Sequence, residues 1–341
     1  MNEKKTDVII IGAGPCGLFA VFELGLLGLR SAIVDILDRP GGQCIELYPE
    51  KPIYDIPSRV KVTGKELTDN LMKQIEPFEP IMYFNQMADK IIKLSNGNWK
   101  LTTDMGVQIE APVICIAGGG GSFTPKKPRI NGIEPFEEKS VFYSVREIKK
   151  FKNKNLVIAG GGDSALDWAL TLNDQVQSMH LVHRRSEFRA MQDSIDKMRL
   201  LEKNGKITVH VAEVETLNGQ DGILDSITLR NKETNQNYNI ECDTMLAFYG
   251  LTMKLGPISN WGINMDKNRI LVDTEKFQTS EDGIFCIGDM CSYPGKLNLI
   301  LSGFHEAALM AHGCFNLARP EEKLRFEYTT TSKNLQNKLV S

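Results

Sequence analysis

Two kinds of hydrophobic pattern divide the chain: short unbroken apolar runs, and longer stretches in which apolar residues return at helical spacing. Asp7-Val8-Ile9-Ile10-Ile11 is a β-branched run with no alternation, the signature of a strand buried on both faces in a parallel sheet. It stops at Gly12. From Pro15 onward Leu18, Val21, Phe22, Leu26 and Leu29 fall at helical spacing, and Ser31-Ala32-Ile33-Val34-Asp35 is a second buried run, so this region predicts one βαβ unit. The succession recurs from Asn155: the run Leu156-Val157-Ile158-Ala159, a glycine turn, a helical stretch over Asp163–Leu172, and the run Met179-His180-Leu181-Val182-His183.

Each unit is followed by the pattern of a β-meander. Residues 83–108 have strand patterning around the turn Ser95-Asn96-Gly97-Asn98, and residues 111–121 form a strand ending in four glycines. After the second unit, strands flank Asn218-Gly219 and Asn235-Gln236-Asn237, and residues 243–250 close the set. The pattern predicts an α/β fold with two Rossmann-like dinucleotide-binding domains, each a central parallel sheet with a β-meander. No low-complexity linker separates them. The crossings are expected at 118–125 and near Gly250, which makes residues 1–118 and 250–341 a discontinuous first domain and 119–249 the second.

A length of 341 residues agrees with two domains of roughly 150 residues each. Forty Lys and Arg against 43 Asp and Glu give a net charge of −3, and 42% apolar residues with 8% aromatics describe an ordered chain rather than a dedicated nucleic-acid binder. No stretch approaches the roughly 18 to 20 apolar residues of a membrane span. The first strand begins too soon after Met1 to leave room for a secretory leader, so a cytoplasmic location is expected. Seven cysteines, at 16, 44, 115, 242, 286, 291 and 314, include no C-x-x-C pair, and the five histidines do not fall at ligand spacing with them. Neither a disulfide framework nor a metal site is expected.

Chemistry is concentrated at the glycine turns. Gly12-Ala13-Gly14-Pro15-Cys16-Gly17 fits G-x-G-x-x-G between a strand and a helix. Gly12 permits the tight turn, Gly14 lets main chain approach a pyrophosphate at the helix N-terminus, and Gly17 lets helix and strand pack closely. Asp35 ends the next strand, 23 positions after Gly12, where a carboxylate accepts ribose hydroxyls. Gly160-Gly161-Gly162-Asp163-Ser164-Ala165 repeats the turn, yet the position 23 residues after Gly160 holds His183, followed by Arg184, Arg185 and Arg189. Guanidinium groups suit a 2′-phosphate, so this half is expected to select NADPH. Unlike ribose chemistry at the two turns suggests that one holds a flavin and the other delivers hydride to it. A third short run, Gly283-Ile284-Phe285-Cys286-Ile287-Gly288-Asp289, ends in a carboxylate placed to hydrogen-bond a ribityl hydroxyl.

Taken together, these three motifs resemble the two-dinucleotide-domain flavoproteins over residues 6–335, and in organisation the low-molecular-weight thioredoxin reductases. Those enzymes carry a C-x-x-C pair in the NADPH half, whereas the corresponding residues 140–148 hold no cysteine. Closer matches are Gly41-Gly42-Gln43, Leu47-Tyr48-Pro49-Glu50-Lys51, Tyr54-Asp55-Ile56-Pro57, Phe123-Thr124-Pro125-Lys126, Tyr293-Pro294-Gly295-Lys296 and Gly303-Phe304-His305-Glu306-Ala307-Ala308. These resemble the thioredoxin-reductase-like class of ferredoxin/flavodoxin–NADP(+) reductases.

The resemblance implies FAD and NADPH as cofactors, hydride transfer between them, one-electron exchange with ferredoxin or flavodoxin, and a homodimer. Within the chain it implies FAD contacts at Gly12, Gly14, Cys16 and Gly17 for the pyrophosphate, Asp35 for the ribose, Ala88 for the adenine end, Gln43 and Phe123 lining the flavin, Tyr48 stacking on it, Asp289 on the ribityl chain, and Thr330 in the tail Tyr328-Thr329-Thr330 over the second face. Gly160, Gly162, Ser164, His183, Arg184, Arg185 and Arg189 would take NADPH, and no acid–base residue is nominated. Basic docking candidates are Lys126-Lys127-Pro128-Arg129 and residues 146–154, with five cations (Arg146, Lys149, Lys150, Lys152, Lys154) against Glu147. Two rivals remain. One is a small-disulfide reductase using Cys16, whose thiol pKa is expected to be lowered at the helix N-terminus; the pair Cys286 and Cys291 is the lesser thiol candidate, Cys286 lying in a buried strand. The other is a non-catalytic FAD and NADPH sensor.

Overall fold

The computed structural model describes residues 4–324 and Gln336. The chain divides into two compact units, Met1–Ser122 with Met253–Ser341, and Phe123–Thr252. In the first, β1 (Val8–Ile11) leads through α1 (Pro15–Leu26) to β2 (Ser31–Val34). Gly28, at φ +74°, ends the helix turn before Leu29. A second helix, α2 (Gly64–Ile75), is started by a reciprocal cap: Glu66 N–H donates to Thr63 Oγ1 at 3.2 Å, and Thr63 N–H donates to the Glu66 carboxylate at 2.8 Å. Next come β3 (Ile81–Tyr83), the meander β4 (Ala88–Lys93), β5 (Trp99–Thr103) and β6 (Gln108–Ala111), and then β7 (Val113–Ile116).

The second unit contains β8 (Asn155–Ala159), α3 (Asp163–Leu172), β9 (Ser178–His183), α4 (Gln192–Lys203), the 13-residue β10 (Thr208–Gln220), β11 (Ile223–Asn231), β12 (Asn237–Glu241) and β13 (Thr244–Ala247). They form one seven-stranded sheet, ordered from the short strand Val141–Phe142 through β13, β8, β9, β10, β11 and β12. Pairing is parallel as far as β10 and antiparallel beyond it. The first four residues of β10 pair with β9, and the remainder carries the meander.

Back in the first unit, β14 (Ile284–Cys286) completes an all-parallel sheet ordered β14, β7, β1, β2, β3, and α5 (Ile300–Ala318) follows. The unbroken apolar runs are explained by burial on both faces: Val8 and Ile10 enter a helix-side core with Leu18, Leu24, Leu71 and Met310, while Ile9 and Ile11 enter a core with Leu101, Trp99 and Ile109 of the meander. Arg319, just past α5, makes a two-pronged contact with the Asp7 carboxylate, at 2.5 and 2.7 Å. Burial pushes the Asp7 pKa up, but Arg319 and Arg30 outweigh it and hold the group below its ordinary value. No described helix is long and apolar enough to cross a membrane.

Candidate nucleotide-binding turns

The first turn is fixed by glycine geometry. Gly12 has φ +108°, and a Cβ there would lie 2.5 Å from the Ala117 carbonyl oxygen. A Cβ on Gly17 would run into the Gly12 carbonyl, so the helix can seat against its strand only with glycine at 17. Gly14 is different: a Cβ there meets nothing within 4 Å. It precedes α1, which begins with no side-chain cap and no acid in its first turn, leaving first-turn N–H groups to face an anion. This is the local chemistry a pyrophosphate requires.

Asp35 stands over that turn. Its carboxylate accepts the Ala13 N–H at 2.5 Å and the Leu37 N–H at 2.8 Å; burial pushes its pKa up, partly offset by those two donors. The segment 84–87 folds over the end of β2, with Asn85 N–H donating to the Leu37 carbonyl and Gln86 N–H to the Asp35 carbonyl. It delivers Ala88 buried at the head of β4, its methyl group in the meander core, so any adenine contact made there belongs to main chain. Gly41 N–H donates to the Ala13 carbonyl, and Gly42, at φ +54°, passes so close to Gly14 that a Cβ would come within 3.1 Å of its Cα. Two consecutive glycines are what allow this crossing, which sets Gln43 at the head of the short helix Gln43–Glu46.

Tyr48 is half-buried, with the Cys44 thiol donating to its hydroxyl at 3.7 Å and the Lys51 ammonium 5.8 Å from its ring centre. Burial pushes the phenol upward, so it stays neutral at physiological pH. Asp289 leaves β14 on the one-turn helix Gly288–Met290. Burial raises its pKa, against the pull of Lys296 and Arg269. Phe123 lies in the crossing strand Ser122–Pro125; Thr330 falls outside the described residues.

Cys16 corrects an expectation. Burial, with Asp289 and Glu306 nearby, pushes its thiol far up rather than down. The sulfur packs against Gly303 and Gly288, where α1 meets α5, and a Cβ at either glycine would press on it. Desolvation overrides the helix dipole. All seven cysteines are free; six are buried, including Cys286 and Cys291.

The second turn reaches the same form by other means. A Cβ on Gly160 would lie 2.6 Å from the Phe248 carbonyl, and on Gly161 it would strike the His183 ring. That ring also stacks on Phe188 at 5.5 Å, Arg199 covers Phe188 at 5.2 Å, and Arg199 donates to the Ser186 carbonyl at 3.2 Å. Arg189 N–H returns to the Gly161 carbonyl at 2.7 Å, and Met191 N–H to the Asp163 carboxylate at 2.8 Å. His183 thus serves as a brace. Burial first, then the Arg184, Arg185 and Arg189 charges, hold its pKa down. The three guanidinium groups are exposed around the turn, and Ser164 is exposed in the first turn of α3. No sequence signal marked residues 186–199 as the brace, because its bonds link a loop to a helix that was not predicted.

One further group went unpredicted. Glu306, in the middle of α5, is fully buried and paired with Lys296, while its carboxylate accepts the Gly288 N–H at 2.6 Å. The signal was an acid inside an otherwise apolar helix.

Residues 6–310 match the family described as pyridine nucleotide-disulphide oxidoreductase. The chain is similar to a ferredoxin–NADP reductase of Parvibaculum lavamentivorans (strain DS-1), 58% identical over 98% of this chain and 97% of that protein. It is also similar to one from Mesorhizobium japonicum, 54% identical with the same coverage. Among solved structures, thioredoxin reductase of Lactococcus lactis is similar with a TM-score of 0.76 at 25% identity, covering 92% of this chain and 99% of that one. The thioredoxin reductase of T. acidophilum gives 0.77 at 21% identity with the same coverage, a likeness of fold alone.

Proposed function

The chain belongs to the pyridine nucleotide-disulphide oxidoreductase family, and on that premise we propose that it is an FAD-dependent ferredoxin–NADP(+) reductase, exchanging electrons between NADP(H) and ferredoxin or flavodoxin. Identity of 58% over nearly the whole of both chains carries this reading within a family that also reduces disulfides. The thiols agree with it: between Phe123 and Thr252 the only cysteine is Cys242, buried and donating to the Thr244 carbonyl at 3.0 Å.

When bound, FAD supplies both hydride exchange with nicotinamide and single-electron exchange with the protein partner. The chain's part is binding and orientation. In the first unit the Gly12, Gly14, Cys16 and Gly17 turn takes the pyrophosphate on main-chain N–H groups, Asp35 the ribose, and Asp289 the ribityl chain. Gln43 lines the flavin, and neutral Tyr48 offers a ring for stacking and excludes water. In the second unit Gly160, Gly162 and Ser164 receive the NADPH pyrophosphate, and Arg184, Arg185 and Arg189 the 2′-phosphate. None of these roles needs a general acid or base. For the partner, the turn Ile148–Phe151 exposes Lys149 and Lys150 while Phe151 anchors it, edge-on to Phe142 at 5.6 Å. Exposed cations there suit an acidic ferredoxin.

The test is NADPH-driven cytochrome c reduction with and without added ferredoxin or flavodoxin. Turnover that depends on the added carrier is expected. Turnover of low-molecular-weight disulfides instead, lost in Cys16→Ser, would put the disulfide reading in its place, and flavin reduction with no acceptor turned over would indicate a sensor.

A further inference from the structure

Glu306 and Lys296 form a closed polar network in the first unit. One carboxylate oxygen of Glu306 accepts the Tyr293 hydroxyl at 2.8 Å and the Lys296 ammonium; the other accepts the Gly288 N–H at 2.6 Å and the Cys291 thiol at 3.6 Å. Glu306 is 0% exposed and the Lys296 side chain 4%. Replacing a buried ion pair with apolar side chains is often neutral or stabilising, so stability alone does not account for this one. Its position is informative. The N–H it fixes belongs to the residue before Asp289. The neighbouring Cys16 and Cys291 thiols are held neutral by burial.

We propose that Glu306 and Lys296 are positioning residues for Asp289: Lys296 fixes the buried Glu306 carboxylate, and Glu306 holds the Gly288–Asp289 turn through the Gly288 N–H, so that Asp289 is presented to a ribityl hydroxyl. The inference rests on the reading of the first unit as an FAD site. A hydrogen bond gains strength with alignment, so a turn held by the buried pair has a function in cofactor retention.

The test measures FAD affinity of the apoprotein by flavin fluorescence. It uses wild type, Asp289→Asn, the charge-neutral pair Lys296→Met with Glu306→Gln, and the triple variant, from about pH 8 down to about pH 5.5. With Asp289 present, the neutral pair should weaken FAD binding roughly tenfold, the size of coupling between residues that share one hydrogen-bond network. In the Asp289→Asn background the same change should have less than about a twofold effect. Equal losses in both backgrounds, or none in either, would overturn the proposal. If the neutral pair does not fold, Glu306→Gln decides in its place: its loss of FAD affinity should again fall below about twofold in the Asp289→Asn background, and an equal loss in both backgrounds would overturn the proposal. Lys296→Arg, which keeps the charge, should retain wild-type affinity. Absence of FAD binding by wild type would instead remove the FAD reading itself; an additive cycle in a protein that binds FAD would remove only this inference.

Discussion

The two units begin alike and part company at the strand that follows the βαβ motif. In the first, β3 ends at Tyr83 and the meander starts anew at Ala88; in the second, β10 runs on for 13 residues and joins the parallel and antiparallel parts of one sheet. The break leaves segment 84–87 free to fold over β2 and enclose Asp35, whereas the continuous strand leaves the end of β9 to the braced loop that displays Arg184, Arg185 and Arg189. One interruption in hydrogen bonding thus separates a buried carboxylate pocket from an open cationic one. The comparison teaches that the exposure of the groups beside each turn follows from how the third strand is drawn as much as from the residue ending the second.

Glycine substitutions should break the comparison most severely. Gly12→Ala combines a positive φ with a clash against Ala117, and should lower stability by about 3 kcal/mol or more and abolish yellow colour on purification. Gly162→Ala has a Cβ at ordinary distance, 3.7 Å from the Arg189 carbonyl, and should cost about 1 kcal/mol or less in thermal unfolding while weakening NADPH binding. Similar melting temperatures for the two variants would contradict the account of the turns.

Exchanging Arg184 and Arg185 for Ala should come next, raising the NADPH KM roughly 10- to 100-fold and the NADH KM little, as loss of charge-assisted contacts implies. Steady-state kinetics with both nucleotides check it, and equal effects would place the phosphate elsewhere. Reversing Lys149, Lys150 and Lys152 to Glu should raise the ferredoxin KM by roughly tenfold at low salt and flatten its salt dependence, with NADPH-to-dye activity intact. Unchanged ferredoxin kinetics would move the docking surface off this turn. The smallest change is expected from Cys16→Ser: the thiol is neutral and packed against Gly303, so NADPH reduction of flavin should stay within about twofold of wild type. Abolished turnover would restore the thiol to the mechanism.

Much of the fold could be read in advance because parallel strands buried on both faces leave unbroken runs such as Val8–Ile11 and Asn155–Ala159, and glycine turns mark where they end. Helix α2 carried two signals, the Thr63 and Glu66 cap and Leu67, Leu71 and Ile75 at helical spacing, both passed over within a sequence that is polar on average. Helix α4 buries only Met198, and its largely polar sequence hid it. At the site, the turn geometry of Gly12 and Gly17 and the placement of Asp35 and the arginines beside the two turns were legible because they follow from local spacing. The Cys16 thiol was misjudged because its environment comes from far along the chain, where Gly303 of α5 and Gly288 of the turn after β14 close over it. The Glu306 and Lys296 pair was hidden for the same reason, being defined by a fold-back rather than by neighbours in sequence.

The most direct test is anaerobic stopped-flow reduction of the purified holoprotein by NADPH and by NADH, followed at the flavin absorbance band. The account expects rapid bleaching with NADPH and bleaching slower by at least about tenfold with NADH at equal concentration. Equal rates with both nucleotides, or no bleaching with either, would contradict the assignment of one turn to FAD and the other to NADPH.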